Sequence, residues 1–325
     1  MRWRQRRFIS GVLVLVMVLG VLTTASGNAK SMKKIGILQM TSVLDSCVEA
    51  FKHRLQALGY REGETVQYVY RNAQGSLPKL RQYADELVAM HVDLLFTLTT
   101  PATAAAKAAT KAQPIPIVFT AVMFPQEVGF VERIERPGGW ITGTSPLVLA
   151  TKQLEVLAQV VPSLRTLGVV YTDGDHSEVI KQLFQAIRAR NLTVQTAPVR
   201  NASEVADAVA SLLPRVDALY IPADNVVTTQ MATIIHTALQ HHTPVMVPTE
   251  SAVKEGALIS YIADYPELSA FSAEMAHKIL QGEKPAEIPV EYPVNPKLTL
   301  NLKTSRAIGL DVPTPVVFLA DEVIE

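Results

Sequence analysis

The sequence predicts an α/β protein of two doubly wound, parallel-sheet lobes joined by a three-segment hinge. Three observations indicate this fold class. Short apolar runs alternate with amphipathic helical segments, and the alternation occurs twice, in two matching halves. A chain of 325 residues also exceeds the size of one typical hydrophobic core, so two lobes are expected.

The first half alternates strand and helix from residue 35 to residue 120. Buried apolar runs predict strands, and apolar residues at helical spacing predict the segments between them. Gly59 follows the first helical segment at the position where glycine commonly ends a helix. The predicted strands are residues 35–38, 65–70, 92–98 and 115–120, and the predicted helices are 44–58, 77–90 and 102–112.

The second half repeats the pattern after a glycine-rich crossing at residues 138–146. Its predicted helices are 154–161, 178–190, 202–213 and 226–241, and its strands are 166–171, 192–197, 218–221 and 244–247. A strand at 257–262, a helix at 267–280 and a proline-rich stretch at 285–296 indicate two further crossings. The expected N-terminal lobe is residues 33–144 plus about 264–292, and the C-terminal lobe is 145–263 plus about 293–325.

Residues 1–29 have the composition of a secretory signal peptide. Four arginines precede an apolar run at 8–22, and small residues follow it. Cleavage is expected just before Asn28 or Lys30, which predicts a periplasmic protein that is not membrane-embedded after cleavage. The alternative is an uncleaved membrane anchor, although the run is shorter than the roughly 20 residues that span a bilayer.

The composition excludes several classes of protein. Cys47 is the only cysteine, so no internal disulfide can form and no cysteine follows the cleavage point to accept a lipid. Basic and acidic residues number 30 each, and removing the four leader arginines leaves 26 against 30, a net charge of about −4. Nucleic acid is therefore not an expected partner.

Candidate ligand contacts in the first half follow the predicted strands. Ligands of doubly wound sheets bind beyond the carboxyl ends of the strands. Gln39 and Thr41 follow the first strand, and Thr100, Pro101 and Ala102 follow the third. We expect Thr100 to cap a helix with Pro101 in its first position, leaving free N–H groups that suit a carboxylate or phosphate. The alternative is that Thr100 acts only as a cap.

Polar residues also follow strands of the second half. Asp224 and Asn225 follow one strand, and Glu250 and Ser251 follow the next. Asp224 or Asn225 is equally explained as the cap of the following helix. Asp264 lies beside a predicted crossing, where a carboxylate suits a ligand ammonium group, although capping is possible there too.

An ordered set of motifs gives the chain a family resemblance. The motifs are Thr100-Pro101-Ala102, the run 116–122, Pro137-Gly138-Gly139 with Gly143-Thr144-Ser145, Ala223-Asp224-Asn225, Lys254-Glu255-Gly256-Ala257, Asp264-Tyr265 and the run 279–285. Over residues 33 to 323 the chain resembles the ABC-transporter substrate-binding proteins of the tryptophan/tyrosine-binding type. The resemblance implies the type I periplasmic-binding-protein fold. It also implies capture of a small organic ligand, such as an aromatic amino acid or related carboxylate, for an ABC permease.

Some residues depart from the family pattern, and these bear on the ligand. Phe124 stands where the family usually has an acidic residue, so one partner for a ligand amine is replaced by an aromatic ring. His176 and Ser177 stand where relatives often carry Asn-Ser, and Glu250 stands where smaller groups are common. The remaining expected contacts are neutral hydroxyls, at Thr120, Thr144 and Ser145.

Two other functions remain open on the sequence. One is a solute sensor that presents its ligand-bound form to a membrane signalling protein. The other is an enzyme, but no nucleophile elbow, phosphate-binding loop or zinc motif is present, and Cys47 is better explained as a packed helix residue. We therefore expect a binding protein, with no catalytic residue, metal or cofactor.

Overall fold

Two separate sheets organise the protein. A computed structural model describes residues 32–174, 178–224 and 226–325, so the predicted signal peptide lies outside the described residues. Within those residues one sheet has five strands and the other seven. Helices pack against both, which confirms the predicted two-lobed α/β fold.

The first sheet contains only parallel pairs, in the order β2-β1-β3-β4-β5. Its strands are β1 (Lys33–Gln39), β2 (Val66–Asn72), β3 (Leu94–Leu98), β4 (Ile117–Thr120) and β5 (Ile141–Gly143). Its connecting helices are α1 (Asp45–Ala57), α2 (Leu77–Ala89) and α3 (Thr100–Ala109). Every residue of β3 is buried, because helices cover both faces of the sheet.

The second sheet has the order β12-β11-β10-β9-β8-β6-β7. Its strands are β6 (Thr166–Thr172), β7 (Thr193–Val199), β8 (Ala218–Tyr220), β9 (Val245–Met246), β10 (Ile259–Ile262), β11 (Lys297–Asn301) and β12 (Glu322–Ile324). The remaining α-helices along the chain are α4 (Ala150–Val160), α5 (Glu178–Ala189), α6 (Val205–Leu212), α7 (Met231–Gln240), α8 (Glu250–Lys254), α9 (Tyr265–Leu280), α10 (Leu302–Ile308) and α11 (Thr314–Leu319).

One pair of strands, β10 and β11, is antiparallel, in contrast to the parallel pattern expected. After β10 the chain enters α9, which packs against α1 of the first sheet. The chain then returns from that side, so β11 starts where β10 ends and Lys297 pairs with Ile262. The strands β5, β11 and β12 were not predicted, since they are short and lack a continuous apolar run.

Two of the crossings are bonded to each other. The Ser145 amide donates to the Glu291 carbonyl at 2.9 Å, and the Glu291 amide donates to the Gly143 carbonyl at 3.2 Å. Gly143 has no space for a side chain, because a Cβ there would lie 2.1 Å from the Phe119 carbonyl oxygen. The crossings are therefore closely packed, while the residue boundaries of the two lobes stay a prediction.

Candidate functional site

A two-part cleft lies where the carboxyl ends of strands from both sheets meet. Its apolar compartment has about 630 Å³ of empty space, part of it open to solvent. Residues after β4, β8, β9 and β10 line it, including Met123, Ile221, Val247 and Ala263. Two tyrosines, Tyr220 and Tyr265, add aromatic surface. This wall suits a flat, apolar part of a ligand.

The second compartment adjoins the apolar one and has about 1030 Å³ of empty space, part of it open to solvent. We call it the polar compartment after its hydroxyl, amide and carboxylate side chains, although its lining also contains apolar side chains such as Met40, Val43 and Leu44. The two compartments share the lining residues Pro248, Ile262 and Tyr265, which makes the cleft continuous. Four of the predicted ligand contacts line the polar compartment, and these are Gln39, Thr41, Glu250 and Ser251.

The start of α3 differs from the sequence prediction. Thr100 is the first helical residue and Thr99 occupies the capping position, with no side-chain capping bond, so the prediction that Thr100 caps the helix is wrong. The shift by one residue places Pro101 second in the helix, where its missing N–H is still tolerated. Thr99 lines the polar compartment, so this uncapped helix start lies beside it.

Thr99 itself has an unusual conformation. Its φ of 78° and ψ of 161° lie in a region that residues other than glycine rarely adopt. The backbone is held there by hydrogen bonds, since the Thr99 amide donates to the Thr120 carbonyl and the Thr103 amide donates to the Thr99 carbonyl. The buried Thr99 hydroxyl has no hydrogen-bond partner among the described residues. A strained residue at a cleft is a sign of a functional position.

Three predicted hydroxyl contacts are fully buried and bonded within the protein. Thr144 Oγ1 lies 3.0 Å from Thr120 Oγ1 and 3.0 Å from Ser272 Oγ, a residue of α9. Ser145 Oγ donates to the Met123 carbonyl at 2.8 Å. This geometry gives Thr120, Thr144 and Ser145 a structural role in joining β4, β5 and α9. Their contact with a ligand stays a prediction.

Asp224 is held by four hydrogen bonds. The Thr172 amide and hydroxyl each donate to its carboxylate at 2.8 Å, and the amides of Val226 and Val227 donate at 2.8 and 3.0 Å. Burial raises the pKa of Asp224, but the hydrogen bonds from Val227, Thr172 and Val226 outweigh it and hold the pKa below its ordinary value. Asp224 thus joins the end of β6 to the turn that precedes α7.

The other two predicted acids also have partners in the protein. Asp264 caps α9 by accepting a hydrogen bond from the Glu267 amide at 3.0 Å. Glu250 lies between two lysines, 2.6 Å from Lys254 Nζ through Oε1 and 2.8 Å from Lys297 Nζ through Oε2. Hydrogen bonds from Lys254 and then Lys297 lower the pKa of Glu250 to about 2. The Glu250 carboxylate is therefore ionised at neutral pH, and each of its oxygens is paired with a lysine ammonium group.

The remaining predicted residues are more scattered. Phe124 is half-buried and absent from both linings, while its neighbour Met123 contributes to the apolar compartment. Pro101 is exposed, and Ala102 is buried in the core between α3 and the first sheet. The ligand-contact predictions for His176, Ser177 and Asn225 lie outside the described residues.

Several lining residues were not found by sequence reasoning. Tyr220 and Met246 lie in short buried strands, where an apolar residue is ordinarily assigned to the core, and Tyr220 also donates a hydrogen bond to Gln153 Oε1. Thr99 comes one residue before the predicted cap, and only its dihedral angles distinguish it. Tyr265 follows Asp264 in one of the family motifs, so proximity to a predicted crossing was the available signal.

No metal-binding cluster of three or more histidine, cysteine or acidic side chains occurs within residues 32–174, 178–224 and 226–325. Cys47 is buried in the packing of α1 against α9, and burial raises the pKa of its thiol. Among the helices that the structure describes, none combines the length and apolar character needed to cross a bilayer.

Comparison with known proteins gives a consistent set of relatives. The chain is 31% identical to a tyrosine-binding protein of Clostridioides difficile over 93% of this chain and 91% of the relative. A ligand-free, open substrate-binding protein with adhesive properties from Clostridium difficile superposes with a TM-score of 0.81 at 30% identity, covering 90% of this chain and 99% of that one.

A third relative is a structure in complex with L-Trp from Streptococcus pneumonia. It has a TM-score of 0.74 and 28% identity, and the match covers 90% of this chain and 100% of that one. More distant solute-binding proteins, such as one from Bacillus halodurans with 15% identity and a TM-score of 0.55, share the fold. A family model described as ABC transporter substrate binding protein matches residues 34–324. With the two-lobed fold and its cleft, these matches show that the chain belongs to the family of ABC transporter substrate-binding proteins, whose members bind ligands for transport.

Proposed function

We propose that the cleft binds a small aromatic carboxylate, with free tyrosine and tryptophan as the first candidates, and that the protein delivers this ligand to an ABC permease. The observation that carries the proposal is the continuity of an apolar, tyrosine-containing compartment with a hydroxyl-rich one. A molecule with a ring at one end and a carboxylate at the other matches both compartments.

The apolar compartment supports the placement of the ring. Tyr220, Tyr265 and Met246 offer aromatic and polarisable surface at one end of the cleft. Flat ligands gain affinity from such surfaces through area burial and aromatic contact. The Tyr220 hydroxyl is bonded to Gln153, so the ring is held in one orientation.

The polar compartment supports the placement of the carboxylate. The start of α3 lacks a side-chain cap, so the amides of Thr100 and Ala102 and the positive end of the helix dipole are available to an anion. Thr41, Gln39 and Ser251 add neutral donors around this position. An anion held in this way needs no lysine or arginine in the lining.

The relatives support the same ligand class. The relative from Clostridioides difficile is described as binding tyrosine, and the related structure from Streptococcus pneumonia is in complex with L-Trp. In line with this family role, the chain acts as a binding protein rather than an enzyme. It reaches the periplasm by export through a signal peptide that is cut near Asn28 or Lys30.

Calorimetry and thermal unfolding of the mature protein test the ligand assignment. Tyrosine or tryptophan at a hundred times the dissociation constant is expected to stabilise the protein by about 2.7 kcal/mol. Alanine and myo-inositol serve as controls because they lack the ring or the carboxylate. Equal stabilisation by alanine, or none by either aromatic amino acid, contradicts the proposal. Loss of labelled-ligand uptake in cells lacking the protein tests delivery.

A matched pair of serines tests the polar compartment. Ser251→Ala removes a lining hydroxyl and is expected to weaken binding roughly three- to tenfold, since a hydrogen bond contributes about 0.5–1.5 kcal/mol. Ser211→Ala is the control, because Ser211 lies exposed on α6 and donates to the Ala208 carbonyl. Equal affinities of the two variants would remove Ser251 from the site.

A further inference from the structure

A cluster of four alternating charges lies behind one wall of the cleft. It comprises Glu250, Lys254, Lys297 and Glu322, which we call the charge cluster. Each lysine bridges the two glutamates: Lys254 Nζ lies 2.6 and 3.1 Å from them, and Lys297 Nζ lies 2.8 and 3.3 Å from them. The formal charge of the cluster is zero.

The cluster is connected to the cleft at two points. Glu250 is itself a lining residue of the polar compartment. Lys297 pairs across the β10–β11 ladder with Ile262, which lines both compartments. Lys297 lines neither compartment. Its electrostatic influence on a ligand therefore acts through Glu250 and through the net charge of this wall.

We propose that Lys297 is a specificity-determining residue, which keeps the wall at Glu250 electrically neutral and thereby allows the cleft to accept a ligand carboxylate. The inference rests on the proposed function, because it concerns the charge of the same ligand. Without Lys297 the cluster carries a net charge of −1, and an incompletely paired Glu250 carboxylate repels a ligand carboxylate and attracts a ligand amine.

The sign of the effect follows from the contacts. Both oxygens of Glu250 have a lysine partner, and the side chains of Glu250, Lys297 and Glu322 are about 30% exposed, so solvent screens them only in part. Hydrogen bonds from both lysines hold the Glu250 pKa at about 2, so its charge is present throughout the neutral range. Removing either sign of charge therefore changes the net charge of the wall by one unit at pH 7.

The experiment compares two probes that share the hydroxyphenyl ring and carry terminal groups of opposite charge. 3-(4-Hydroxyphenyl)propionate has the ring and carboxylate of tyrosine without the amine, and tyramine has the ring and amine without the carboxylate. Calorimetry of the parent protein gives the probe ratio, which is the affinity for the propionate divided by the affinity for tyramine. In Lys297→Met, which keeps an apolar stem of similar length, the ratio is expected to fall about tenfold in favour of tyramine, equivalent to about 1.4 kcal/mol.

Two further variants separate charge from structure. Glu250→Gln leaves a net charge of +1 and is expected to move the ratio in the opposite direction. The double variant Glu250→Gln with Lys297→Met leaves Lys254 and Glu322, with no net charge, and is expected to return the ratio close to that of the parent. Lys33→Met is the control, since Lys33 pairs with Asp93 at the opposite end of β1 from the cleft.

The outcomes are distinct for the two proposals. A parent protein that binds tyrosine but shows the same probe ratio in all three variants overturns the role of Lys297. Failure of the double variant to restore the ratio overturns that role as well. If Lys297→Met does not fold, Glu250→Gln decides the question: a shift of the probe ratio toward the propionate supports the role of the charge cluster, and no shift or a shift toward tyramine overturns it. A parent protein that binds none of the aromatic probes overturns the proposed function, and this inference with it.

Discussion

The two lobes differ in the hydrogen bonds that hold the ends of their strands. At β3, β4 and β5 of the first sheet the bonds are between neutral hydroxyls, as in Thr97–Thr103 at 2.9 Å and Thr120–Thr144 at 3.0 Å. At β6, β8 and β9 of the second sheet they involve the carboxylates of Asp224 and Glu250. The hydroxyl bonds at β3, β4 and β5, which we call the hydroxyl rim, involve no ionisable carboxylate. The bonds at β6, β8 and β9, which we call the carboxylate rim, depend on ionised acids.

The largest expected effect comes from breaking the carboxylate rim. Asp224→Ala removes four hydrogen bonds to a charged acceptor and is expected to lower the free energy of unfolding by about 2–4 kcal/mol. Asp264→Ala is the matched control, since it removes one capping bond and should cost about 0.5–2 kcal/mol. Urea unfolding measures both. Equal losses would mean that the Asp224 bonds do not act together.

A smaller effect is expected from the hydroxyl rim. Thr144→Val keeps the shape of the side chain but leaves the buried Thr120 and Ser272 hydroxyls with one partner fewer. The expected loss is about 1–2 kcal/mol in the free energy of unfolding. The loss should be the same at pH 7 and pH 4, because the group is neutral; a loss that differs between the two would mean the hydroxyl network is coupled to an acid.

The carboxylate rim predicts a pH dependence of stability. The pKa of Asp224 and that of Glu250 are lowered in the folded state, to about 2 for Glu250. Their contribution to stability is therefore fully present above the unfolded values, near 4, and is lost as pH falls through the lowered folded values. Between pH 7 and pH 4 the two together should account for about 0.5–1 kcal/mol. Urea unfolding of the parent and of the Asp224→Asn, Glu250→Gln double variant measures this share. The same pH slope in both proteins would exclude these two acids as its source.

The smallest effect is expected at Thr100. Its hydroxyl makes no capping bond, so Thr100→Ala should change the free energy of unfolding by less than about 0.5 kcal/mol. Thermal unfolding with and without tyrosine measures the change. A loss of 1 kcal/mol or more would restore the capping role that the sequence suggested.

Much of the fold was predictable because its local signals are strong. Buried apolar runs such as β3 leave little alternative to a central parallel strand, and the position of Gly59 marks the end of the first helix. The resemblance carried by the ordered family motifs then predicted the arrangement of two lobes and a cleft. By contrast, the antiparallel β11 depends on where the chain re-enters the second sheet, which no local pattern encodes.

The candidate site was predicted in part. Gln39, Thr41, Glu250 and Ser251 line the cleft, because polar residues that follow buried strands must lie at the carboxyl edge of a sheet. Sequence alone did not separate hydroxyls that line the cleft from those that bond inside the protein. Thr120 and Thr41 carry the same hydroxyl, and each lies at the carboxyl end of a strand of the first sheet. Thr120 is nevertheless fully buried against Thr144, whereas Thr41 lines the cleft.

The sequence by itself thus determined the alternation of strands and helices, the two lobes and the strand ends that form the cleft, since these follow from periodicity and local conformational preference. The tertiary structure decided how two of the predicted acids are paired. Asp224 and Glu250 accept hydrogen bonds from Thr172 and Lys297, which lie 52 and 47 positions away in the chain, whereas the cap at Asp264 is local, three positions from its donor. The charge that a ligand encounters therefore depends on partners that only folding brings together.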